Sequence, residues 1–363
     1  MTAIGRTPYG GRPSVLMDEV WNFPHMNDLV RRTDSAAVDL LVLNYNGRRL
    51  LADCLPSIVR AAVASRHRCR VTVIDNDSSD DSVALVKREF PDVVVLESPN
   101  RGLCSFNGAV AASDAPVAIL LNNDIKLRAD SIEPLAAPLK HDGPSADDRC
   151  FMTAPLCWLF DGVTYEGMKT SVRWRWGLVQ ATSLFAGHER AIHGPGFTAS
   201  SGAVLAVDRE KFLELGGFDP IYLPGRLEDF DFCYRGYQAG YHARYVPEAV
   251  AYHQGCGTFE AAFGRAGCDR LALRNTLLFQ WKNLRHPAHV ARQLAGLPVR
   301  FFRDVLRAPW LEPSERFVFV RALHEACLRW RESQMTSEGR GGDLNTDREW
   351  AFFRQFHPQA ILR

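Results

Sequence analysis

No stretch of this 363-residue chain approaches the roughly 18 consecutive apolar residues that a membrane-spanning helix needs. The opening MTAIGRTPYGGRPSVLMDEV also lacks the apolar centre of a secretory signal, so neither a spanning nor an exported chain is expected. Charge of one sign is missing too: 43 Lys and Arg face 42 Asp and Glu, a net charge of +1. That balance argues against a nucleic-acid-binding protein and leaves any nucleotide or anionic lipid to a local patch. The nine cysteines include no C-x-x-C pair and no short ligand spacing, which excludes a zinc knuckle or a disulfide framework and fits a reducing, cytoplasmic setting. In such a setting the Asn76-Asp77-Ser78 sequon is incidental. A G-x-G-x-x-G turn is absent as well, and Pro195 within Gly194-Pro195-Gly196 argues against a dinucleotide phosphate cradle.

What is present is order. Residues 1–36 are rich in Gly, Pro and Arg without periodicity and read as a loose arm. From Val38 the chain alternates short apolar runs with helical stretches: strand Val38–Leu43, helix 48–65, strand Val71–Ile74, helix 82–90, strand Val93–Leu96, helix 102–112, strand Val117–Leu121. Strand and helix alternating at this spacing predict βαβ units and a parallel sheet. Residues 128–195 are less regular and hold Trp158, Trp174 and Trp176 among short strand-like pieces. A second block brings strand 202–207, helix 208–215, an acidic helical segment from Phe230 to Ala239 and strand Ala249–Tyr252. Beyond 265 the pattern is helical and basic.

Polar residues gather where the strands end. Strand one runs into Asn44-Tyr45-Asn46-Gly47, strand two into Asp75, and the fourth strand into Asn122-Asn123-Asp124. Parallel strands set such ends side by side at a ligand crevice. Asn122 and Asp124, two residues apart, can turn oxygen donors toward one hard cation, although a plain turn has the same composition. Asp75 suits a base N–H or a ribose hydroxyl, while the acidic run after it also suits a helix cap. Glu228-Asp229 and Asp231 stand before a helical run, where acids complement the helix dipole, and Asp229 is equally placed for a general base. His253 follows a strand and offers one imidazole nitrogen to a metal, or serves the core.

In order, these segments resemble the family 2 inverting glycosyltransferases of the GT-A fold, and among them the non-processive, rhamnosyltransferase-like members. The likeness rests on LVLNYNG (41–47), VIDNDSSDDS (73–82), SPNRGLCSFNGAVAAS (98–113), LLNND (120–124), GGFDPIYLPGRLEDFDFCYRGYQAGY (216–241) and YVPEAVAYHQGCGTF (245–259), with RNTLLFQWKNL (274–284) similar to a helix after the catalytic core. It implies an α/β architecture: a mainly parallel, Rossmann-like sheet flanked by helices, with a helical C-terminal extension. The implied division is an arm over 1–36, a transferase domain over 37–262 split at 127/128 into nucleotide and acceptor halves, and a helical region over 263–363. The resemblance implies Asn44, Asn46, Asp75, Asn100, Gly102, Asn107 and Asn122 at the donor, with Asn107 near its diphosphate. Asp124, Asn122 and His253 would hold Mg²⁺ or Mn²⁺, and Asp229, with Glu228 beside it, would carry the proton transfer. Donor and acceptor would be a nucleoside-diphosphate sugar, dTDP-rhamnose or a UDP-sugar, and a glycan or lipid-linked saccharide of the cell surface. Cys233-Tyr234-Arg235 stands where processive synthases have Gln-x-x-Arg-Trp.

Two alternatives stay open at this level. Asp75-x-Asp77 after a strand also resembles the nucleophile loop of haloacid-dehalogenase-type phosphatases, and a catalytically silent sugar-nucleotide binder would keep the same motifs. For the basic tail the choice is between a solvated helical face and an interfacial one, since Phe301, Phe302, Val305 and Leu306 alternate with Arg300, Arg303 and Arg307. The second choice places the chain peripherally on the inner face of the cell membrane.

Overall fold

The computed structural model describes residues 36–140, 145–255, 257–336 and 345–362, so the expected N-terminal arm lies outside the described residues apart from Ala36. Its first half runs β1 (Val38–Asn44), α1 (Arg48–Ala64), β2 (Cys69–Asp75), α2 (Ser82–Glu89), β3 (Val94–Glu97), α3 (Ser105–Ala112) and β4 (Val117–Asn122). The strands lie parallel in the order β3-β2-β1-β4. Successive residues of β1 and β4 enter opposite cores: Val38, Leu40, Val42, Ile119 and Leu121 pack against α1, α2 and α4 (Ile132–Ala136), whereas Leu41, Ala118 and Leu120 pack against α3 and later elements. Burial on both faces is why these strands read as unbroken apolar runs.

After β4 come β5 (Ile125–Leu127), α4, β6 (Cys150–Leu159), β7 (Tyr165–Gly167), β8 (Ser171–Arg175), β9 (Leu178–Thr182), α5 (His188–Ala191), β10 (Gly196–Phe197), β11 (Val204–Asp208), α6 (Arg209–Glu214), α7 (Glu228–Ala239) and β12 (His242–His253). β11 joins β4 antiparallel and continues the sheet through β6 and β12 to β10. The expected strand 249–252 is only the end of the 12-residue β12, whose pairing with β6 slips between Val246 and Val250. Pro247 and Glu248 sit in that irregularity, and a proline and an acid inside a strand hide it from sequence reading.

The C-terminal helices are α8 (Gly257–Asn283), α9 (Pro287–Arg307), α10 (Val318–Thr336), α11 (Thr346–Gln355) and α12 (Pro358–Ile361). α8 breaks its helical geometry at Gly264, close to the 262/263 boundary expected for the extension. The extension is no detached tail. Leu277, Leu278 and Phe279 of α8 and Phe352 of α11 share a core with Phe230 and Tyr234 of α7 and Val172 of β8. Among the described residues no helix is long and apolar enough to cross a membrane.

Candidate active site

Register brings the strand-end residues level: Asn44 of β1 lies opposite Asp75 of β2, and Leu43 opposite Asn122 of β4. Asn44 is fully buried and saturated. Its Nδ2 donates to Asp75 Oδ1 at 3.0 Å and to Ser78 Oγ at 3.2 Å, while its Oδ1 accepts from Asn123 Nδ2 at 2.8 Å. Asp75 Oδ2 accepts from the Ser78 backbone at 3.0 Å. The chain after β1 must pass over this knot without a side chain, since a Cβ at Gly47 would overlap both Asn44 and Asn123. Asn46 stays exposed at φ 46°, its Oδ1 accepting from the Ser79 amide at 2.7 Å. The first two strand-end loops are thus tied to each other before any ligand arrives.

Asp124 and His253 meet where β4 turns into β5. β12 runs antiparallel to β5 with His253 opposite Ile125, which brings the imidazole beside the β4–β5 turn. His253 Nε2 lies 3.2 Å from Asp124 Oδ2, and its Nδ1 lies 2.9 Å from Glu166 Oε1 on β7. Burial disfavours charge on His253, yet hydrogen bonds to the Asp124 and Glu166 carboxylates push it up to about 10. Among the described residues Asp124 Oδ1 is buried without a hydrogen-bond partner, and Asn122 closes β4 two residues before it with no side-chain hydrogen bond. A buried carboxylate oxygen left over, an imidazole beside it and a free carboxamide fit a hard divalent cation. Among the described residues no group of three or more His, Cys, Asp and Glu side chains that could hold a metal ion is present.

The second acidic centre opens α7. Arg226 and Leu227, at φ 82° and 73°, hold the left-handed region that non-glycine residues avoid, and so turn the chain sharply into Glu228 and Asp229. α8 fixes this turn: Asn275 Nδ2 donates to the carbonyls of Tyr222, Gly225 and Arg226 at 2.7, 2.8 and 2.8 Å. Asp229 is half-buried, and its Oδ2 accepts from Ser200 Oγ at 2.5 Å and from the Gly202 amide at 2.8 Å. Its Oδ1 has no hydrogen bond among the described residues. The same loop continues to Ala203, the residue after Gly202, whose carbonyl accepts from the Asn122 amide at 3.0 Å. The 200–203 loop therefore touches both Asp229 and the end of β4.

Glu228 is buried with Oε1 unpartnered, and burial, reinforced by Asp229, pushes its carboxyl up to about 8. It keeps its proton at neutral pH.

Residues 39–169 match the family described as Glycosyl transferase family 2. Over those residues the chain is similar to family 2 glycosyltransferases. Curated relatives are a putative polypeptide N-acetylgalactosaminyltransferase 10 of Drosophila melanogaster, 23% identical over 199 residues, and N-acetylgalactosaminyltransferase 7 of the same organism, 26% identical over 173 residues. These matches cover 51% and 44% of the chain but only 31% and 28% of the relatives, so the chain spans about a third of the length of each. The crystal structure of GalNAc-T7 with UDP, GalNAc and Mn²⁺ superposes with a TM-score of 0.52 at 18% identity, over 84% of this chain and 57% of that one. At that identity the likeness concerns the fold, which is the expected GT-A arrangement with added C-terminal helices.

Several expected site residues make structural hydrogen bonds. Asn107 pins a turn instead of facing a diphosphate: its Nδ2 donates to the Phe218 carbonyl and its Oδ1 accepts from the Phe218 amide, both at 2.8 Å. Asn44 is equally consumed and positions Asp75. Glu228 is buried beside Asp229. Asp231, expected as a helix-dipole charge, is a fully buried hub bonded to Tyr222, Arg235 and Asn283 at 2.7 Å and to Lys282 at 3.0 Å. Burial alone would raise its carboxyl, but Lys282 and Arg235 hold it below the usual range. Asn100 is exposed and caps a tight turn, its Oδ1 accepting from Gly102 N at 3.1 Å, with Gly102 at φ 51°. Asp75, with both oxygens engaged and the residue buried, is no free nucleophile, which removes the ground for the phosphatase alternative. Sequence reading missed Glu166, Ser200, Gly202 and Asn275. Only Asn275, inside RNTLLFQWKNL, lay in a segment singled out beforehand.

Proposed function

We propose that this protein transfers a single sugar, with inversion, from a nucleoside-diphosphate sugar to a hydroxyl of a glycan or lipid-linked saccharide in cell-surface polysaccharide synthesis. A dTDP- or UDP-linked donor is the first choice, since the likeness to family 2 and the two acidic centres fit either. The observation that supports the reading is that Asp124 and His253 meet at 3.2 Å just past β4, while the 200–203 loop that holds Asp229 also bonds the end of β4. Asp124 and His253, with Asn122, would hold Mg²⁺ or Mn²⁺, which supplies charge stabilisation for the departing diphosphate. Asn46 and Asp75 border the donor's nucleoside. Asp229 uses Oδ2 to fix its orientation and keeps Oδ1 to accept the proton of the attacking hydroxyl. Glu228, neutral beside it, spares Asp229 a second negative charge. Proton removal from the face opposite the leaving group makes one displacement, and one displacement inverts the anomeric centre.

The test is release of nucleoside diphosphate from UDP-, dTDP- and GDP-sugars with Mn²⁺ and saccharide acceptors. Asp229→Asn should lower kcat by about 10²–10⁴ with nucleotide affinity nearly unchanged. Full activity in that variant would remove Asp229 as the base.

A further inference from the structure

A hydroxyl sealed inside a protein must find partners there, and the partners show what it holds. Thr198, directly after β10, is fully buried. Its Oγ1 accepts from the Thr170 amide at 3.1 Å, and its single proton can go to the carbonyl of Met168 or of Ser200, each 2.7 Å away. Thr170 Oγ1 stands 3.3 Å from the same Ser200 carbonyl as a second donor. Two buried threonines thus grip the backbone of Ser200.

What they grip it against is a buried frame. Residues 168–170 connect β7 to β8 and are all buried, and Met168, at φ 91°, holds a positive φ that non-glycine residues avoid. Lys169 Nζ donates to the carbonyls of Ala191 and Gly194 at 2.8 and 2.9 Å, which ties the chain leading into β10 to this frame. On the far side of Ser200, a Cβ at Gly202 would come 3.3 Å from Met168 Sδ.

We propose that Thr198 is a positioning residue for the base: by holding the Ser200 backbone on the 168–170 frame, it aims Ser200 Oγ at Asp229 Oδ2. The inference rests on the reading of Asp229 as the base. Among the described residues Thr198 makes no hydrogen bond to Asp229 itself, so its influence passes through Ser200, whose Oγ donates to Asp229 Oδ2 at 2.5 Å. The Gly202 amide is the other donor to that oxygen, at 2.8 Å. With Ser200 misplaced, the carboxylate hangs on one donor and Oδ1 swings away from the attacking hydroxyl.

A double-mutant cycle tests it, read as kcat for nucleoside-diphosphate release from the donor that the wild type accepts among UDP-, dTDP- and GDP-sugars with Mn²⁺. Thr198→Val keeps the branched shape and removes the hydroxyl, whereas Thr198→Ser keeps the hydroxyl. Thr198→Val and Ser200→Ala should each lower kcat on the order of tenfold with donor KM nearly unchanged. Together they should cost no more than Ser200→Ala alone, because both remove one interaction. Thr198→Ser should restore kcat. If Thr198→Val does not fold, Thr198→Cys, of similar size and a weak donor, takes its place in the cycle. Losses that multiply in the double variant would make Thr198 a packing residue and overturn the proposal. So would wild-type kcat in Thr198→Val beside an inactive Asp229→Asn, which leaves the base in place. Full activity in Asp229→Asn would overturn the reading of the base, and this inference with it.

Discussion

At the scale of single residues, the site depends on carboxylates made unequal by their surroundings. Asp229 is held by a hydroxyl and an amide, whereas its neighbour Glu228 has a buried oxygen with no donor at all. Glu228 therefore has a folded-state pKa near 8, raised from 4.5 by burial. The sign follows from linkage: the contribution of the buried acid to stability is fully present below about pH 4.5 and is lost as pH rises toward 8, because the unfolded chain ionises first. Glu228→Gln should then match the wild-type thermal midpoint near pH 5 and exceed it by several degrees at pH 8. An equal offset at both pH values would contradict a protonated Glu228. Glu166 acts one step further out. Through His253 Nδ1 it fixes which nitrogen faces Asp124, and removing such an outer carboxylate typically costs 10- to 100-fold in metal affinity. Glu166→Gln should raise the Mn²⁺ concentration needed for nucleotide binding by roughly that factor with saturated nucleotide affinity unchanged. No shift in the Mn²⁺ midpoint would make Glu166 a packing residue only.

At the scale of elements, α8 has become part of the site's frame. Asn275 carries three of the hydrogen bonds that hold the turn before α7, and Lys282 and Asn283 hold Asp231 within α7. Asn275→Ala should destabilise the fold by about 2–3 kcal/mol, as loss of buried hydrogen bonds does, and lower kcat more than it raises KM, because the turn aims Asp229. Unchanged kcat in a stably folded Asn275→Ala would separate α8 from catalysis. The parallel elements β1 to β4 were legible because strands buried on both faces leave long apolar runs that end in polar clusters. β12 was half-legible, with Pro247 and Glu248 concealing its middle. The partners of Asp229 and His253 were not legible, since they depend on antiparallel pairings of β11 with β4 and of β7 with β6, which no local period records. Asn44 and Asn107 show the converse. Their positions fit a donor site, but only the fold reveals that other loops had already used their amides.

At the scale of the whole molecule, the parallel strands, the mixed part of the sheet and the C-terminal helices pack into three buried clusters, and the 200–203 loop touches both Asp229 and the end of β4. The C-terminal helices pack on α7 through Phe279, Phe352 and Tyr234. If Asp124, His253 and Asn122 hold the cation as proposed, phosphate oxygens of the nucleotide complete its ligands, and nucleotide and cation bind as a unit. Ligand that binds only the folded chain raises its thermal midpoint. The decisive measurement is the midpoint of wild type and Asp124→Ala with UDP, dTDP and GDP, each with and without Mn²⁺. The account predicts that one nucleotide stabilises the wild type in a Mn²⁺-dependent way and that Asp124→Ala loses this response. A nucleotide shift of equal size without Mn²⁺, or one that survives in Asp124→Ala, would contradict it.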